Sequence, residues 1–188
     1  MNRAIVYAFI GAVLAAMTWP LSATAEGAQS SSDVSDEYAN AQGAVCAKGN
    51  GQPSIDACTW AIQSGLWGAD VTFAYYNRGN TYDDMGNYAR ALADFDQVIA
   101  LDPSYTHALG SRGNAYYHLG QFSRAIQDYD RAIALQPNDA LSLHNRGQAK
   151  LKIGDTVGGD ADLDAADALD NDGETGGEST KPTGNKYW

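Results

Sequence analysis

Apolar residues recur at helical spacing along most of the chain, in short segments that end at glycine or proline. Residues 38–48 and 54–64 both show this spacing, and the sequence GNGQP between them predicts a turn. Ser54, directly after Pro53, is the predicted N-cap of the second segment. The two segments predict a helical hairpin within residues 38–70.

The pattern becomes periodic from Thr72 onward. NRGNTY at 77–82 returns as SRGNAY at 111–116 and as NRGQAK at 145–150, so the interval between copies is constant. The same interval separates the glycines expected at the turn inside each unit, which are Gly86, Gly120 and Gly154. A sequence motif that returns at a constant interval is typical of a structural repeat, so we interpret this motif as structural.

The periodic units resemble the tetratricopeptide repeat, whose signature is a large apolar residue, Gly, Tyr, Ala, an aromatic residue and Pro at fixed offsets. The first unit has Tyr75, Gly79, Tyr82, Ala91, Phe95 and Pro103 in these places. The second unit has Leu109, Gly113, Tyr116, Ala125, Tyr129 and Pro137. The third unit keeps Leu143 and Gly147 but has Lys150, Gly159, Leu163 and Asn171 in the remaining places, as degenerate terminal repeats do.

The resemblance implies an all-α fold, a solenoid of antiparallel helix pairs. Its repeats are expected at about 72–105, 106–139 and 140–171, within a repeat domain at 71–171. The hairpin at 38–70 is only partly repeat-like, and we interpret it as a cap at the N-terminal end of the solenoid.

The segment 1–25 contains one charged side chain, Arg3, an apolar run that ends near Leu21, and the small-residue site Ala23-Thr24-Ala25. This pattern predicts a secretory signal peptide over the whole segment. A retained membrane anchor is the alternative, against which Pro20 argues. We therefore expect an exported protein, in the periplasm or extracellular, without membrane contact after signal removal. Composition predicts a flexible leader at 26–37 and a disordered acidic tail at 172–188.

The formal net charge is −11, which disfavours nucleic acid and anionic lipid surfaces as partners. The histidines lack the close spacing of metal ligands. An EF-hand starting at Asp160 would need Gly and Glu where Ala165 and Asn171 stand. The sequence contains no phosphate-binding loop or nucleophile elbow, so we predict a protein without catalysis, metal or cofactor.

Cys46 and Cys58 are the only cysteines, and they lie at equal distances on either side of Gln52 in the predicted turn. An antiparallel hairpin brings them opposite one another, which in an exported chain predicts a disulfide. Two buried thiols are the alternative.

Each repeat also carries an arginine that is followed, at the same separation each time, by an aspartate. We interpret these residues as structural ion pairs between the two helices of a repeat, because repetition in register with an acid is what an architectural contact predicts. A basic stripe for an anionic ligand is the alternative. The predicted pairs are Arg78–Asp94, Arg112–Asp128 and Arg146–Asp162.

The polar residues of the repeated motif lie on one face of the first helix of each repeat, since residues three and four apart share a face. The resemblance implies that these faces line a concave groove for a peptide. We call this predicted face the first-helix stripe. Asn80 and Asn114 are expected to pair with a peptide backbone, and Tyr117 to add apolar contact. The stripe comprises Phe73, Asn77, Asn80, Asp84, His107, Ser111, Asn114, Tyr117, His118, Asn145, Gln148 and Lys152, with Leu141 among them.

The best-known site of the resembled family is a clamp of basic and amide residues for a C-terminal carboxylate. Asn80 stands in a matching place, whereas Tyr76, Ser111, Leu141 and Asn145 replace the other members. The resemblance therefore does not extend to this clamp.

From these observations we predict a non-catalytic adaptor or scaffold of the cell envelope that binds a protein or peptide segment. Two alternatives stay open: an accessory subunit of an envelope enzyme complex, or a self-assembling structural protein that stacks as a homo-oligomer.

Overall fold

The computed structural model describes residues 31–65 and 71–172. The predicted signal peptide and most of the predicted acidic tail lie outside these residues. The chain divides into two units, 1–35 and 36–188, and the packing described below lies within the second unit. The described residues form the helices α1 (Ser31–Lys48), α2 (Gly51–Ser64), α3 (Val71–Asp84), α4 (Tyr88–Leu101), α5 (Thr106–His118), α6 (Phe122–Leu135), α7 (Ala140–Lys152) and α8 (Thr156–Asp172).

From α2 onward, each helix packs on the next helix along the chain, and the first helices of consecutive repeats, α3 with α5 and α5 with α7, also touch. This is the arrangement of a solenoid built from antiparallel helix pairs, so the all-α prediction is confirmed. Each predicted repeat contains two helices, and the first helices line one face together.

The turn inside each repeat is made by glycine in the left-handed region, with φ of 73° at Gly86, 72° at Gly120 and 87° at Gly154. The backbone bonds around Gly86 run from Asn87 N to Tyr82 O (2.8 Å) and from Gly86 N to Asp83 O (2.8 Å). They close the end of α3 as a Schellman motif, which satisfies carbonyls that the helix leaves open. Other residues resist this φ, which explains why glycine returns there.

The core of each of the first two repeats is an aromatic ring packed on a glycine. Phe95 is fully buried, and a Cβ added to Gly79 would lie 2.7 Å from its Cε1 atom. Tyr129 is 1% exposed, and a Cβ added to Gly113 would lie 2.6 Å from its Cε1 atom. The glycine therefore lets the two helices of a repeat approach closely, as the sequence pattern indicated.

The N-terminal hairpin is closed by a disulfide between Cys46 and Cys58, with the two Cα atoms 4.8 Å apart. Both cysteines are buried in a cluster that includes Ala74 of α3, so the hairpin packs on the first repeat. The free-thiol alternative does not hold in this structure.

Two boundaries of the hairpin differ from the sequence prediction. Helix α1 begins at Ser31, so residues 31–37 belong to a helix and not to a leader. The prediction rested on apolar spacing, which begins only at Tyr38. Helix α2 begins at Gly51, so Pro53 lies inside its first turn. Proline is tolerated there because the first amide groups of a helix have no acceptor within the helix.

Ser54 is consequently not an N-cap. Asn50 occupies the cap position, and Ser54 is fully buried in the first turn of α2. Its hydroxyl lies 3.3 Å from the Oγ1 atom of Thr81 on α3, so it bridges the hairpin to the first repeat. At the other end, Asp172 closes α8 instead of opening the tail.

Candidate functional site

A hydrogen-bonded chain of three side chains links α6, α5 and α7. The hydroxyl of Tyr129 donates to Oδ1 of Asn114 at 2.7 Å, and Nδ2 of Asn145 donates to the same oxygen at 3.0 Å. Tyr129 is buried, and burial raises the pKa of its hydroxyl, so it remains a donor at all ordinary pH values. The two amides are thereby held in place on the face that the first helices form.

These amides lie between two cavities. Cavity A has a volume of about 90 Å³ and is lined by Asn114, Tyr117, His118, Tyr129, His144, Asn145 and Gln148. Cavity B has a volume of about 180 Å³ and is lined by Tyr76, Thr106, His107, Gly110, Ser111, Asn114, Gln136, Asp139, Leu141, Ser142 and Asn145. Because Asn114 and Asn145 line both, the two cavities share a wall, and together they form the candidate site, with Tyr76 from the first repeat and the other lining residues from the second and third.

The structure brings together only part of the first-helix stripe. Its members in the two cavities are His107, Ser111, Asn114, Tyr117, His118, Leu141, Asn145 and Gln148. Phe73, Asn77, Asn80, Asp84 and Lys152 line neither cavity. Asn77 instead donates its Nδ2 to the carbonyl of Phe73 at 2.9 Å, within its own helix. A role for these five residues in binding stays a prediction.

Sequence reasoning missed other cavity residues, chiefly Tyr129, His144 and Tyr76. Tyr129 was assigned to the core because it stands at the aromatic offset of the repeat, yet its hydroxyl reaches the site. Its equivalent in the first repeat is Phe95, and this Phe-to-Tyr difference between the units was the available signal. For Tyr76 the available signal was its place at a clamp position of the resembled family, although its side chain differs from the one the clamp uses.

The arginine of each repeat forms a two-bonded pair with the aspartate that the sequence assigned to it. Nε and Nη2 of Arg112 donate to the carboxylate of Asp128 at 2.8 and 2.6 Å. Arg78 with Asp94 and Arg146 with Asp162 have the same geometry. The acids are buried and the pairs cross between the two helices of a repeat, so these arginines are structural.

Each arginine also reaches back to the preceding helix pair. Nη1 of Arg112 donates to Asp96 at 2.6 Å, and Nη1 of Arg146 donates to Asp130 at 2.7 Å. Nη1 of Arg78 donates to the hydroxyl of Thr59 in the hairpin at 2.9 Å. The pairs therefore form a ladder that fixes neighbouring repeats to one another, and the sequence analysis missed this second set of acceptors.

The ladder raises the pKa values of its three arginines and lowers that of Asp162. Hydrogen bonding to Asp128 raises the pKa of Arg112, with burial opposing the rise. Burial alone would raise the pKa of Asp162, but hydrogen bonds from Arg146 and Lys150 hold it below its ordinary value. Asp162 is thus stabilised in its charged form by the cations beside it.

The described residues offer neither a metal cluster nor a membrane-spanning helix. Within 31–65 and 71–172, no group of three or more His, Cys, Asp or Glu side chains is placed to hold a metal ion. None of the helices in these ranges is both long and apolar enough to cross a membrane.

Comparison with known proteins gives one family and a set of similar folds. A family model described as tetratricopeptide repeat matches residues 76–140. The crystal structure of MamA superposes with a TM-score of 0.60 at 19% identity, covering 65% of this chain and 70% of MamA. No curated protein sequence matches the chain significantly.

Two further structures contain repeat domains of RPAP3. The first such domain of Spaghetti (RPAP3), bound to the HSP90 peptide SRMEEVD, gives a TM-score of 0.54 at 22% identity and covers 55% of this chain and 82% of that one. The first domain of human RPAP3 gives 0.53 at 23% identity, with the same coverage. At such identities the likeness is one of fold alone.

Proposed function

We propose that this chain, whose residues 76–140 match the tetratricopeptide-repeat family model, is a non-catalytic adaptor that binds an extended peptide segment of a partner protein. The observation that carries this proposal is the pair of adjoining cavities on α5 and α7, both of which Asn114 and Asn145 line. Amides suit such a task, because each offers donors and an acceptor to the polar groups of a peptide.

The repeat domain of RPAP3 supports a peptide as the ligand, since its structure contains a bound HSP90 peptide. Cavity B presents Asp139, and neither cavity is lined by Lys or Arg. A site without a fixed cation has little to attract a terminal carboxylate. We therefore propose an internal stretch of the partner chain as the ligand.

We further propose that the protein works outside the cytoplasm, in the cell envelope or beyond. The signal-like N-terminus and the Cys46–Cys58 disulfide support this location, because such bonds persist in oxidising compartments.

The test is selection from a phage library that displays random peptides, using the whole mature chain as bait. The wild type is expected to enrich a peptide family that the double variant Asn114→Ala with Asn145→Ala no longer retains. Gln127→Ala is the matched control, because Gln127 is an exposed amide side chain of α6 and lines neither cavity.

Circular dichroism and melting temperature of all three proteins separate lost binding from lost folding. Enrichment of no peptide by the wild type, or equal retention by the folded double variant, would contradict the proposal.

A further inference from the structure

The amide pair between cavities A and B occurs at one of the two junctions between repeats. At the junction of the second and third repeats, Tyr129, Asn114 and Asn145 are joined by hydrogen bonds of 2.7 and 3.0 Å. The equivalent residues one repeat earlier are Phe95, Asn80 and Ser111. Phe95 has no hydroxyl and Ser111 has no side-chain amide, so the same hydrogen-bonded chain of side chains cannot form at the first junction.

Hydrogen-bond accounting shows what this pair leaves open for a ligand. Oδ1 of Asn114 accepts from both Tyr129 and Asn145, so the polar group left on Asn114 is the donor Nδ2. Asn145 uses one hydrogen of Nδ2 for this contact, so it keeps the second hydrogen of Nδ2 and the acceptor Oδ1. The pair therefore offers N–H donors from both amides beside one acceptor, Oδ1 of Asn145.

The rest of cavity A decides which groups suit these donors and this acceptor. Its lining contains rings and amides and includes no Asp, Glu, Lys or Arg side chain. A charged ligand group would lose its hydration there without meeting an opposite full charge. An aliphatic group would leave the donors and acceptor of the pair without partners.

A carboxamide satisfies both conditions, since it is uncharged and carries one acceptor and one donor group on the same carbon. A cavity of about 90 Å³ has room for such a group, since one water molecule needs only about 10–15 Å³ of the same kind of volume. The rings of Tyr117 and His118 flank this space.

We propose that cavity A is a specificity pocket for an Asn or Gln side chain of the bound segment, and that Asn114 and Asn145 recognise its carboxamide group. The inference rests on the proposed function, because it assigns one anchor residue to the peptide that the site binds. The inference identifies Asn114 and Asn145 as the residues that set specificity. Tyr129 contributes because its hydroxyl holds Asn114 in position.

The experiment uses fluorescein-labelled nonapeptide pools with random residues around one fixed central position, which is Gln, Asn, Glu, Lys or Met. Binding of each pool to the mature chain is measured by fluorescence anisotropy. The wild type is expected to bind the Gln or Asn pool about tenfold more tightly than the Glu and Met pools.

The decisive variant is Asn114→Asp. An aspartate still accepts from Tyr129 and Asn145, so the fold is retained, but it replaces the open donor by an acceptor. The preference is expected to shift from the Gln pool to the Lys pool. Gln127→Glu is the matched control, because it makes the same amide-to-carboxylate change at an exposed position of α6 that lines neither cavity, and the wild-type preference is expected to persist there.

The outcomes are separable. If the pools bind but the fixed residue makes no difference, the specificity pocket is wrong while peptide binding stands. If Gln127→Glu shifts the preference as Asn114→Asp does, the effect is one of net charge, and the pocket is again wrong. If no pool binds the folded wild type, both this inference and the proposed function fail.

Discussion

At the scale of single residues, Asp83 in the last turn of α3 is a source of instability. Its Oδ1 atom is buried and has no hydrogen-bond partner in the described part of the chain. Burial raises the pKa of Asp83, and the nearby charge of Asp84 raises it further, while His118 opposes the rise. The C-terminal end of a helix also disfavours negative charge. The ionised carboxylate therefore costs stability.

We predict that Asp83→Asn increases the free energy of unfolding at pH 7 by about 0.5–1 kcal/mol. The folded-state pKa of Asp83 is raised, so its carboxyl contributes most to the free energy of unfolding below the ordinary pKa of about 3.9. This contribution is lost as pH rises through the folded-state pKa. The gain from Asp83→Asn should thus shrink as pH falls toward 4. Urea unfolding from pH 4 to 8 measures it.

The control for this prediction is Asp84→Asn, which removes a charge from the same helix end at an exposed position. It is expected to give a smaller gain. An equal gain, or a gain from Asp83→Asn that is the same at pH 4 and pH 7, would show that burial of the carboxylate is not the cause.

At the scale of the helix, α5 carries two glycines that serve different purposes. A Cβ on Gly113 would lie 2.6 Å from the buried ring of Tyr129, which has no room to move. A Cβ on Gly110 would meet only the hydroxyl oxygen of Ser142, at 3.7 Å. Gly113 is therefore required by packing, whereas Gly110 merely lowers the helix propensity of α5.

We predict that Gly113→Ala lowers the free energy of unfolding by about 1–3 kcal/mol, because the methyl group overpacks the second repeat. Gly110→Ala in the same helix should raise it by up to about 1 kcal/mol, because alanine is the better helix former. Urea denaturation followed by circular dichroism measures both. Two variants of equal stability would refute the packing account.

At the scale of the repeat array, α8 is the last helix of the described residues, and its outer face carries carboxylates. Ile126 and Ile133 of α6 pack in one cluster with Ala149 of α7, the first helix of the next repeat. The equivalent residues one repeat later are Asp160 and Asp167, and both are exposed. Burying unpaired carboxylates against another repeat is costly, so this face resists stacking by a second copy.

We therefore expect the mature chain to be monomeric in light scattering at pH 7 and physiological salt. The double variant Asp160→Leu with Asp167→Ile places apolar side chains where Ile126 and Ile133 stand one repeat earlier, and it should self-associate. Asp160→Asn with Asp167→Asn removes the charges without adding apolar surface and should stay monomeric. A wild type that already forms oligomers would favour the self-assembling alternative.

Sequence alone was sufficient for the repeats, their turns, the ion pairs within a repeat and the disulfide, whose residues are related by local spacing. The constant repeat interval located the helix pairs, and the recurring glycines located their turns, because only glycine readily adopts the φ that these turns need. Arginine and aspartate at a fixed separation could be paired because a short turn holds the two helices of a repeat antiparallel. The disulfide followed from the same kind of geometry, since Cys46 and Cys58 flank one turn.

Tertiary structure decided what depends on contacts between repeats. Asn114 and Asn145 belong to different repeats, and their bond exists only because α5 and α7 lie side by side at a particular offset. That offset arises from packing across several helices, including the ladder through Asp96 and Asp130, and no spacing within one helix encodes it. For the same reason, the sequence did not indicate that Ser54 contacts Thr81 on the next helix. It also did not indicate that only the stripe residues of the second and third repeats line the candidate site.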